Sequence, residues 1–223
     1  FMDVDNYQGV DSTLVCISEI WSEIILNYKV NIFEYIEKFQ EFNFEIKFIK
    51  NPSRGPCSAI KQGFLISNSE CVIVYPADDF LNFNILDKMY SDFKTGSEIV
   101  AASRFVKGGS MKGCPFIKSF LVRAASYSLY YLSSIPIKDA SNGFRLFSRK
   151  ILNEIKIESK VGFAYSLEIL VKCNRLNYKI TEIPAQWEER SEGSSRFKIF
   201  KWLPQYLKWY RYGFATTWLR KKN

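Results

Sequence analysis

The sequence has no histidine among its 223 residues. Catalytic triads, metal sites and general bases that depend on an imidazole are therefore excluded. Any chemistry must rely on carboxylates, arginines, lysines, hydroxyl groups or a bound metal ion.

Cysteines and long apolar runs are also scarce. The five cysteines are widely spaced and never form a Cys-x-x-Cys pair, which is typical of reduced cytosolic thiols and disfavours a zinc site. No apolar run reaches the roughly 18 to 20 residues of a transmembrane helix, and no basic region precedes an apolar N-terminal segment. We expect a cytoplasmic protein. The opening FMDVDN, with Met2 behind a phenylalanine, predicts a fragment of a longer chain.

The composition predicts a globular protein with an uneven charge. Hydrophobic residues make up 47% and aromatic residues 17% of the chain, enough to bury a sizeable core in one domain with an appendage. The net charge is +8, and from Arg190 onward nine basic residues face one acid, Glu192. The basic surface is therefore C-terminal.

Strand and helix patterns alternate along the chain. The strand patterns cover 44–50, 71–75, 97–103 and 179–187, and the helical patterns cover 55–67, 82–94, 116–133 and 162–176. This order predicts an α/β fold with a mostly parallel sheet flanked by helices. The segment 136–150 is predicted to be a loop.

The stretch VIVYPADDF places Asp78 and Asp79 directly after a buried strand, and Arg104 follows the next strand. Ligands of parallel sheets bind beyond the carboxyl ends of strands, so these residues are candidates for one site. Adjacent aspartates can hold Mg²⁺ or Mn²⁺. The alternative is a helix start, which Asp78, Asp79 and Asn82 also suit. Spacing alone favours this alternative.

A small polar loop and a basic helix follow towards the C-terminus. Arg190, Ser195 and Arg196 lie in a Gly/Ser-rich stretch suited either to gripping phosphate oxygens or to an ordinary linker. Beyond it, basic residues share one helical face and aromatic residues the others, which predicts an interfacial membrane helix. The alternatives are a core-packing helix and a nucleic-acid arm. Pro204 is expected to start a new turn or to kink this helix.

Six stretches in order carry a family resemblance: NPSRGPCSAIKQGF, VIVYPADDF, AASRFVKGGS, IKDASNGFRLFSRKIL, GFAYSLEILVK and IPAQWEERSEGSSRF. Together they resemble the family-2 glycosyltransferases related to dolichyl-phosphate mannosyltransferase and other polyprenyl-phosphate sugar transferases. The resemblance spans about residues 51–214. It implies a GT-A (Rossmann-like) fold over residues 1–196, with the first strand missing, and a membrane-interface helical tail over 197–223.

The resemblance also implies residue roles. Asp78 matches the second aspartate of the family's Asp-x-Asp metal motif, whose first aspartate is replaced here by Pro76, so Asp79 is expected to assist. Asp139 matches an active-site acid, and Asp5 a nucleotide-binding aspartate. The expected phosphate contacts are Arg104, Arg190, Ser195 and Arg196. The expected membrane-interface residues are Lys198, Lys201, Trp202, Lys208, Trp209 and Arg211.

The implied activity is metal-dependent, inverting transfer of a sugar from a nucleotide-diphosphate donor to a polyprenyl phosphate at the cytoplasmic membrane face. The implied partners are the nucleotide sugar, the lipid phosphate and the membrane surface, without nucleic acid. One alternative is transfer to a soluble or polysaccharide hydroxyl, which needs a base such as Asp139 or Glu168. The other is an inactive membrane-surface binding protein.

Overall fold

The computed structural model describes residues 13–17, 45–49, 51, 53, 55–76, 79–189 and 199–218. In 13–17, 45–49, 199–201 and 216–218 the description covers the backbone alone. The chain divides into two compact units, Phe1–Ser69 and Glu70–Asn223.

The described residues of the first unit form two strands and a helix. β1 (Thr13–Ile17) and β2 (Glu45–Ile49) pair in parallel over all five residues of each strand. α1 (Pro56–Ile66) starts after Gly55, whose φ of 108° lies in the region that favours glycine. Pro56 occupies the first turn, where its missing N–H leaves no intrahelical bond unmade. The predicted strand at 44–50 and helix at 55–67 are confirmed.

The second unit contains the main sheet, and its elements are as follows. The strands are β3 (Cys71–Val74), β4 (Ile99–Ser103), β5 (Ser110–Lys112), β6 (Arg145–Ser148), β7 (Ile180–Pro184) and β8 (Gln186–Glu188). The helices are α2 (Leu86–Lys94), α3 (Phe116–Ser133), α4 (Arg149–Glu154), α5 (Ala164–Arg175) and α6 (Ile199–Trp218), and a 3₁₀ turn (Phe83–Ile85) precedes α2. Pro204 lies inside α6 without ending it.

The main sheet has the strand order β3-β6-β4-β7. β7 is parallel to β4, whereas β6 is antiparallel to both of its neighbours. Three of the four strands therefore share one direction, as predicted for a mostly parallel sheet, and the fourth strand, β6, is reversed. β5 and β8 form a separate parallel ribbon.

The reversed strand is the main departure from the sequence prediction. The segment 136–150 was expected to be a loop, but residues 145–148 form β6 in the middle of the sheet. All four of its residues are buried, so the strand lacks the alternation of apolar and polar residues that identifies half-buried strands. β6 is also only four residues long and begins with a buried arginine, so its composition does not indicate a strand either.

The core lies on both sides of the sheet's central strands. β4 is buried at all five positions, and one apolar cluster joins Met89 of α2 to Val100, Leu146 and Ile183 of the sheet. α5 is buried over most of its length, and α6 packs against both α5 and α3. None of the helices that the structure describes is both long and apolar enough to span a bilayer.

Candidate functional site

One edge of the main sheet gathers the predicted polar residues. Val74, the last residue of β3, pairs opposite Arg145, the first residue of β6. Ser103, the last residue of β4, pairs opposite Pro184 at the end of β7. Asp79, Arg104 and Asp139 therefore lie in segments that join the sheet at the same edge, as the strand order predicts.

Asp79 closes the turn after β3. Its Oδ1 accepts hydrogen bonds from the backbone N–H groups of Leu81 at 2.9 Å and Asn82 at 3.1 Å, just before the 3₁₀ turn. The hydroxyl of Tyr75 donates to the Asp79 carbonyl at 2.6 Å. Burial and the nearby Asp79 charge both raise the pKa of Tyr75. This bonding is the helix-start role that the sequence also allowed, and it leaves Asp79 half-buried.

Several predicted site residues lie outside the described residues. These are Asp5, Asp78, Arg190, Ser195, Arg196 and Lys198. Their predicted roles stay predictions. Within the part of the chain that the structure describes, no group of three or more potential metal-ligating side chains occurs.

Arg104 and Asp139 form a two-pronged ion pair. Arg104 Nε lies 2.7 Å from Asp139 Oδ2, and Arg104 Nη2 lies 2.9 Å from Oδ1. The Asp139 side chain is fully buried and that of Arg104 is 11% exposed. The same carboxylate accepts the backbone N–H groups of Arg104, Ser141 and Asn142 and the hydroxyl of Ser141. The ion pair thus fastens the 139–142 loop to the end of β4.

The Asp139 carboxylate is held in its charged form. Burial alone would raise the pKa of Asp139, but the charge and hydrogen bonds of Arg104, with the Ser141 hydroxyl, outweigh burial and lower it. A carboxylate with a lowered pKa and several hydrogen-bond donors is a weak proton acceptor. Asp139 is therefore suited to positioning neighbouring groups.

Arg145, the first residue of β6, also holds the 139–142 loop in place. Its guanidinium is fully buried, and it donates to the carbonyl oxygens of Ala140 at 2.8 Å and Ser166 at 2.7 Å. Burial lowers the pKa of Arg145 to about 10, partly offset by the charge of Asp139, so the group remains cationic at neutral pH. Arg145 therefore holds the backbone of this loop in place.

The Gly-rich segment after β4 packs against protein backbone. A Cβ added at Gly109 would lie 2.4 Å from the carbonyl oxygen of Ser103 and 2.9 Å from the carbonyl carbon of Arg104. Gly109 is thus required by the close approach of the loop to the end of β4. It indirectly fixes the backbone position of Arg104.

α6 packs one side against α3 and α5 at the positions that the structure describes and exposes the other. Trp209 is only 2% exposed, and its indole Nε1 donates to Ser159 Oγ at 2.8 Å. Lys208 forms an ion pair with Glu158 at 2.8 Å. Trp209 was expected at a membrane interface, and its burial corrects that assignment because a buried indole cannot contact lipid. Trp202 is half-buried, Arg211 is exposed, and the side chain of Lys201 is not described.

α3 exposes an apolar face that the sequence prediction did not single out. The most exposed apolar side chains of this face are Phe116, Ile117, Phe120, Leu121, Tyr131 and Leu132. Intervals of three, four, ten and eleven residues among them place these side chains on one side of the helix, while Ser126, Leu129 and Ser133 are buried on the other. Lys118 flanks this face and pairs with Glu189, the residue that follows β8.

A sheet with acidic and basic side chains gathered where its strands end is the arrangement of α/β proteins that bind ligands in that crevice. The comparison with known families specifies the class further. The model of glycosyl transferase family 2 matches residues 30–156, more than half of the chain. The chain belongs to this family, as the resemblance of its motifs implies.

Two relatives of known name are dolichyl-phosphate sugar transferases. The chain is 29% identical over 175 residues to dolichol-phosphate mannosyltransferase of Pyrococcus furiosus, covering 75% of the chain and 49% of the relative. It is 30% identical over 165 residues to dolichyl-phosphate beta-glucosyltransferase of Dictyostelium discoideum, covering 70% and 49% respectively. The chain therefore spans about half the length of these relatives.

A solved structure confirms the fold. The chain is similar to glucosyl-3-phosphoglycerate synthase from Mycobacterium tuberculosis in complex with Mn²⁺, uridine-diphosphate-glucose and phosphoglyceric acid. The TM-score is 0.59 at 11% identity, covering 91% of this chain and 80% of the other. This likeness shows the predicted GT-A fold and, at such low identity, nothing about the ligands of this chain.

Proposed function

We propose that this chain belongs to a glycosyltransferase that moves a sugar from a nucleotide-diphosphate donor to a polyprenyl phosphate at the cytoplasmic membrane face, with inversion. The relatives named as dolichyl-phosphate sugar transferases support this acceptor class. Within the structure, the proposal rests on the Asp139 carboxylate, which is buried and accepts hydrogen bonds from Arg104, Ser141 and Asn142.

The acceptor decides whether the site needs a general base. A hydroxyl acceptor requires one, whereas a phosphomonoester with a second pKa near 6 is already largely anionic at neutral pH. Asp139 is buried with a lowered pKa. Glu168, the other candidate base, is fully buried and accepts from Lys172 and from the backbone of Glu158 and Ser159. Two buried, fully engaged carboxylates favour the phosphate acceptor.

A divalent metal, Mg²⁺ or Mn²⁺, would be held by Asp78 and Asp79. Carboxylate oxygens are the donors these hard cations prefer. Asp79 Oδ2 accepts one hydrogen bond, from Asn82 at 2.7 Å, and this oxygen keeps a further lone pair. When bound, the ion would offset the charge of the departing diphosphate. Arg104 and the predicted contacts Arg190, Ser195 and Arg196 would orient the phosphates.

The apolar face of α3 supports membrane docking. An apolar face with a basic residue at its border, here Lys118, is suited to the boundary between headgroups and acyl chains of an anionic membrane. β5 precedes α3, and residues 134–138 connect α3 to Asp139. A docked α3 would therefore bring the candidate site close to the headgroup of an embedded acceptor.

The activity test uses the full-length protein with Mg²⁺ or Mn²⁺, a panel of nucleotide sugars and a short-chain polyprenyl phosphate. Mass spectrometry should detect a lipid-linked sugar with one donor. Asp78→Ala should abolish the product without changing the thermal unfolding midpoint. A folded protein that glycosylates only soluble hydroxyl acceptors, or that accepts no donor at all, would contradict the proposal.

Membrane docking is tested separately by sedimentation with vesicles that contain anionic lipid. The triple variant Ile117→Ser, Phe120→Ser, Leu121→Ser should lose most vesicle binding. The matched control Leu65→Ser, Leu176→Ser removes two exposed apolar side chains elsewhere and should bind as wild type does. Equal binding by wild type and the triple variant would remove α3 from the proposal.

A further inference from the structure

Asn82 is a buried amide at the edge of the candidate site. Its side chain is 2% exposed. Its Nδ2 lies 2.9 Å from Oδ1 and 2.7 Å from Oδ2 of Asp79. The same side chain exchanges two hydrogen bonds with the backbone of Gln186, since Nδ2 donates to the carbonyl at 2.8 Å and Oδ1 accepts the N–H at 2.8 Å.

These bonds join two segments that are far apart in sequence. On one side is Asp79, next to the predicted metal ligand Asp78. On the other side is β8, which begins at Gln186 and ends two residues before Arg190. The start of β8 is itself tied to the sheet, because Ala185 N–H donates to the carbonyl of Ser103 at 2.9 Å. Asn82 therefore connects the turn at Asp79, called the acidic turn below, to β8. In sequence, β8 leads into the Gly/Ser-rich stretch that contains the predicted phosphate contacts Arg190, Ser195 and Arg196.

The chemistry of this position requires an amide. An asparagine side chain donates through its nitrogen and accepts through its oxygen, so it can serve a carboxylate, a carbonyl and an N–H together. Leucine has a similar size but would leave the Gln186 backbone groups and the Asp79 carboxylate without these partners. Aspartate would lose both donors and place a second negative charge beside Asp79.

We propose that Asn82 is a positioning residue that holds the acidic turn at a defined distance from β8. It thereby fixes the position of the Asp79 carboxylate, one of the two proposed metal ligands, relative to the start of β8. Its link to the reaction rests on the proposed function above. The coupling of the two segments is independent of that function.

The coupling is tested by hydrogen exchange on the whole protein. In Asn82→Leu, amide exchange should accelerate together in peptides covering 79–83 and 185–189. Asn82→Ser, which leaves room for water, should show the same pattern if the leucine variant does not fold. The matched control is Ser148→Ala at the opposite end of β6, which removes two side-chain hydrogen bonds, one donated to Glu98 and one accepted from the N–H of Ile151. Unchanged exchange at 185–189 in folded Asn82 variants would overturn the proposal.

The link to the reaction is tested by calorimetry with MnCl₂ and either UDP or GDP. Loss of an outer partner of a metal ligand typically weakens metal binding about tenfold or more, and we expect that loss in Asn82→Leu but not in Ser148→Ala. Wild-type affinity in a variant with uncoupled segments would overturn the positioning role. If wild type binds neither nucleotide with metal, the proposed function fails, and hydrogen exchange alone decides the coupling.

Discussion

The guanidinium of Arg104 forms a bidentate ion pair with the buried carboxylate of Asp139, with Nε 2.7 Å from Oδ2 and Nη2 2.9 Å from Oδ1. The two residues are 35 positions apart in sequence, and each follows or precedes a different strand of the main sheet. Their contact gives the candidate site a rigid base. It also means that one predicted phosphate contact and one predicted catalytic acid bind each other.

Removing Asp139 should destabilise the protein more than removing Arg104. Asp139→Ala leaves the N–H groups of Arg104, Ser141 and Asn142 without their acceptor as well as the guanidinium. We expect a loss of about 3 to 5 kcal/mol, as for other broken buried pairs. Arg104→Ala leaves the carboxylate with its other donors, so we expect about 1 to 3 kcal/mol. Urea unfolding measures both, and a larger loss for Arg104→Ala would contradict this order.

The same carboxylate should make stability depend on acid. Because the pKa of Asp139 is lowered from its ordinary value of 3.8 in the folded state, the ionised form favours folding. Its contribution is complete above that ordinary value and is lost as the pH falls through it towards the folded pKa. The difference in unfolding free energy between wild type and Asp139→Asn should therefore be constant near neutral pH and shrink below about pH 4. A difference that grows on acidification would exclude this account.

Gly109→Ala should impair the site through the backbone. The added methyl group would meet the carbonyl oxygen of Ser103 at 2.4 Å, so the end of β4 and Arg104 must shift. We expect a lower unfolding midpoint and weaker nucleotide-sugar binding. Gly96→Ala is the control, since its φ of 94° strains an alanine but nothing lies within 4 Å of the new Cβ. It should cost about 1 kcal/mol and leave binding unchanged. Normal binding by Gly109→Ala would show that Arg104 does not depend on this loop.

Trp209→Ala should destabilise the second unit strongly. The indole is buried, bonded to Ser159, and contacted by Lys172 and Lys208 at 4.7 and 4.4 Å from its ring centre. Loss of a buried tryptophan typically costs about 3 to 5 kcal/mol. The exposed residue Leu203 of the same helix is the control, and Leu203→Ala should change stability by about 0.5 kcal/mol or less. Similar small losses for both variants would mean that α6 packs only weakly.

The sequence predicts most elements but not the reversed strand. Helix periodicity alone locates α3 at Phe116–Ser133, the bounds that the structure has. β6 is not predicted because its four buried residues show no alternation of apolar and polar side chains. The roles of Arg145 and Asn82 are not predicted either. Each depends on hydrogen bonds to backbone groups, those of Ala140 and Gln186, which sequence spacing does not reveal. The closest signal is the placement of Asn82 near Asp79, which by itself suggests only a helix start.

The sequence by itself determines the family, the fold class and the strand ends that carry the candidate site. These follow from local patterns and ordered motifs, which a chain displays before it folds. Tertiary structure alone decides which polar residues bind each other and which aromatic residues face solvent. Arg104 meets Asp139 because β4 and β6 are neighbours, and Trp209 is buried because α5 and α6 pack together. Such contacts depend on long-range packing, so a helical pattern can predict a face without predicting what covers it.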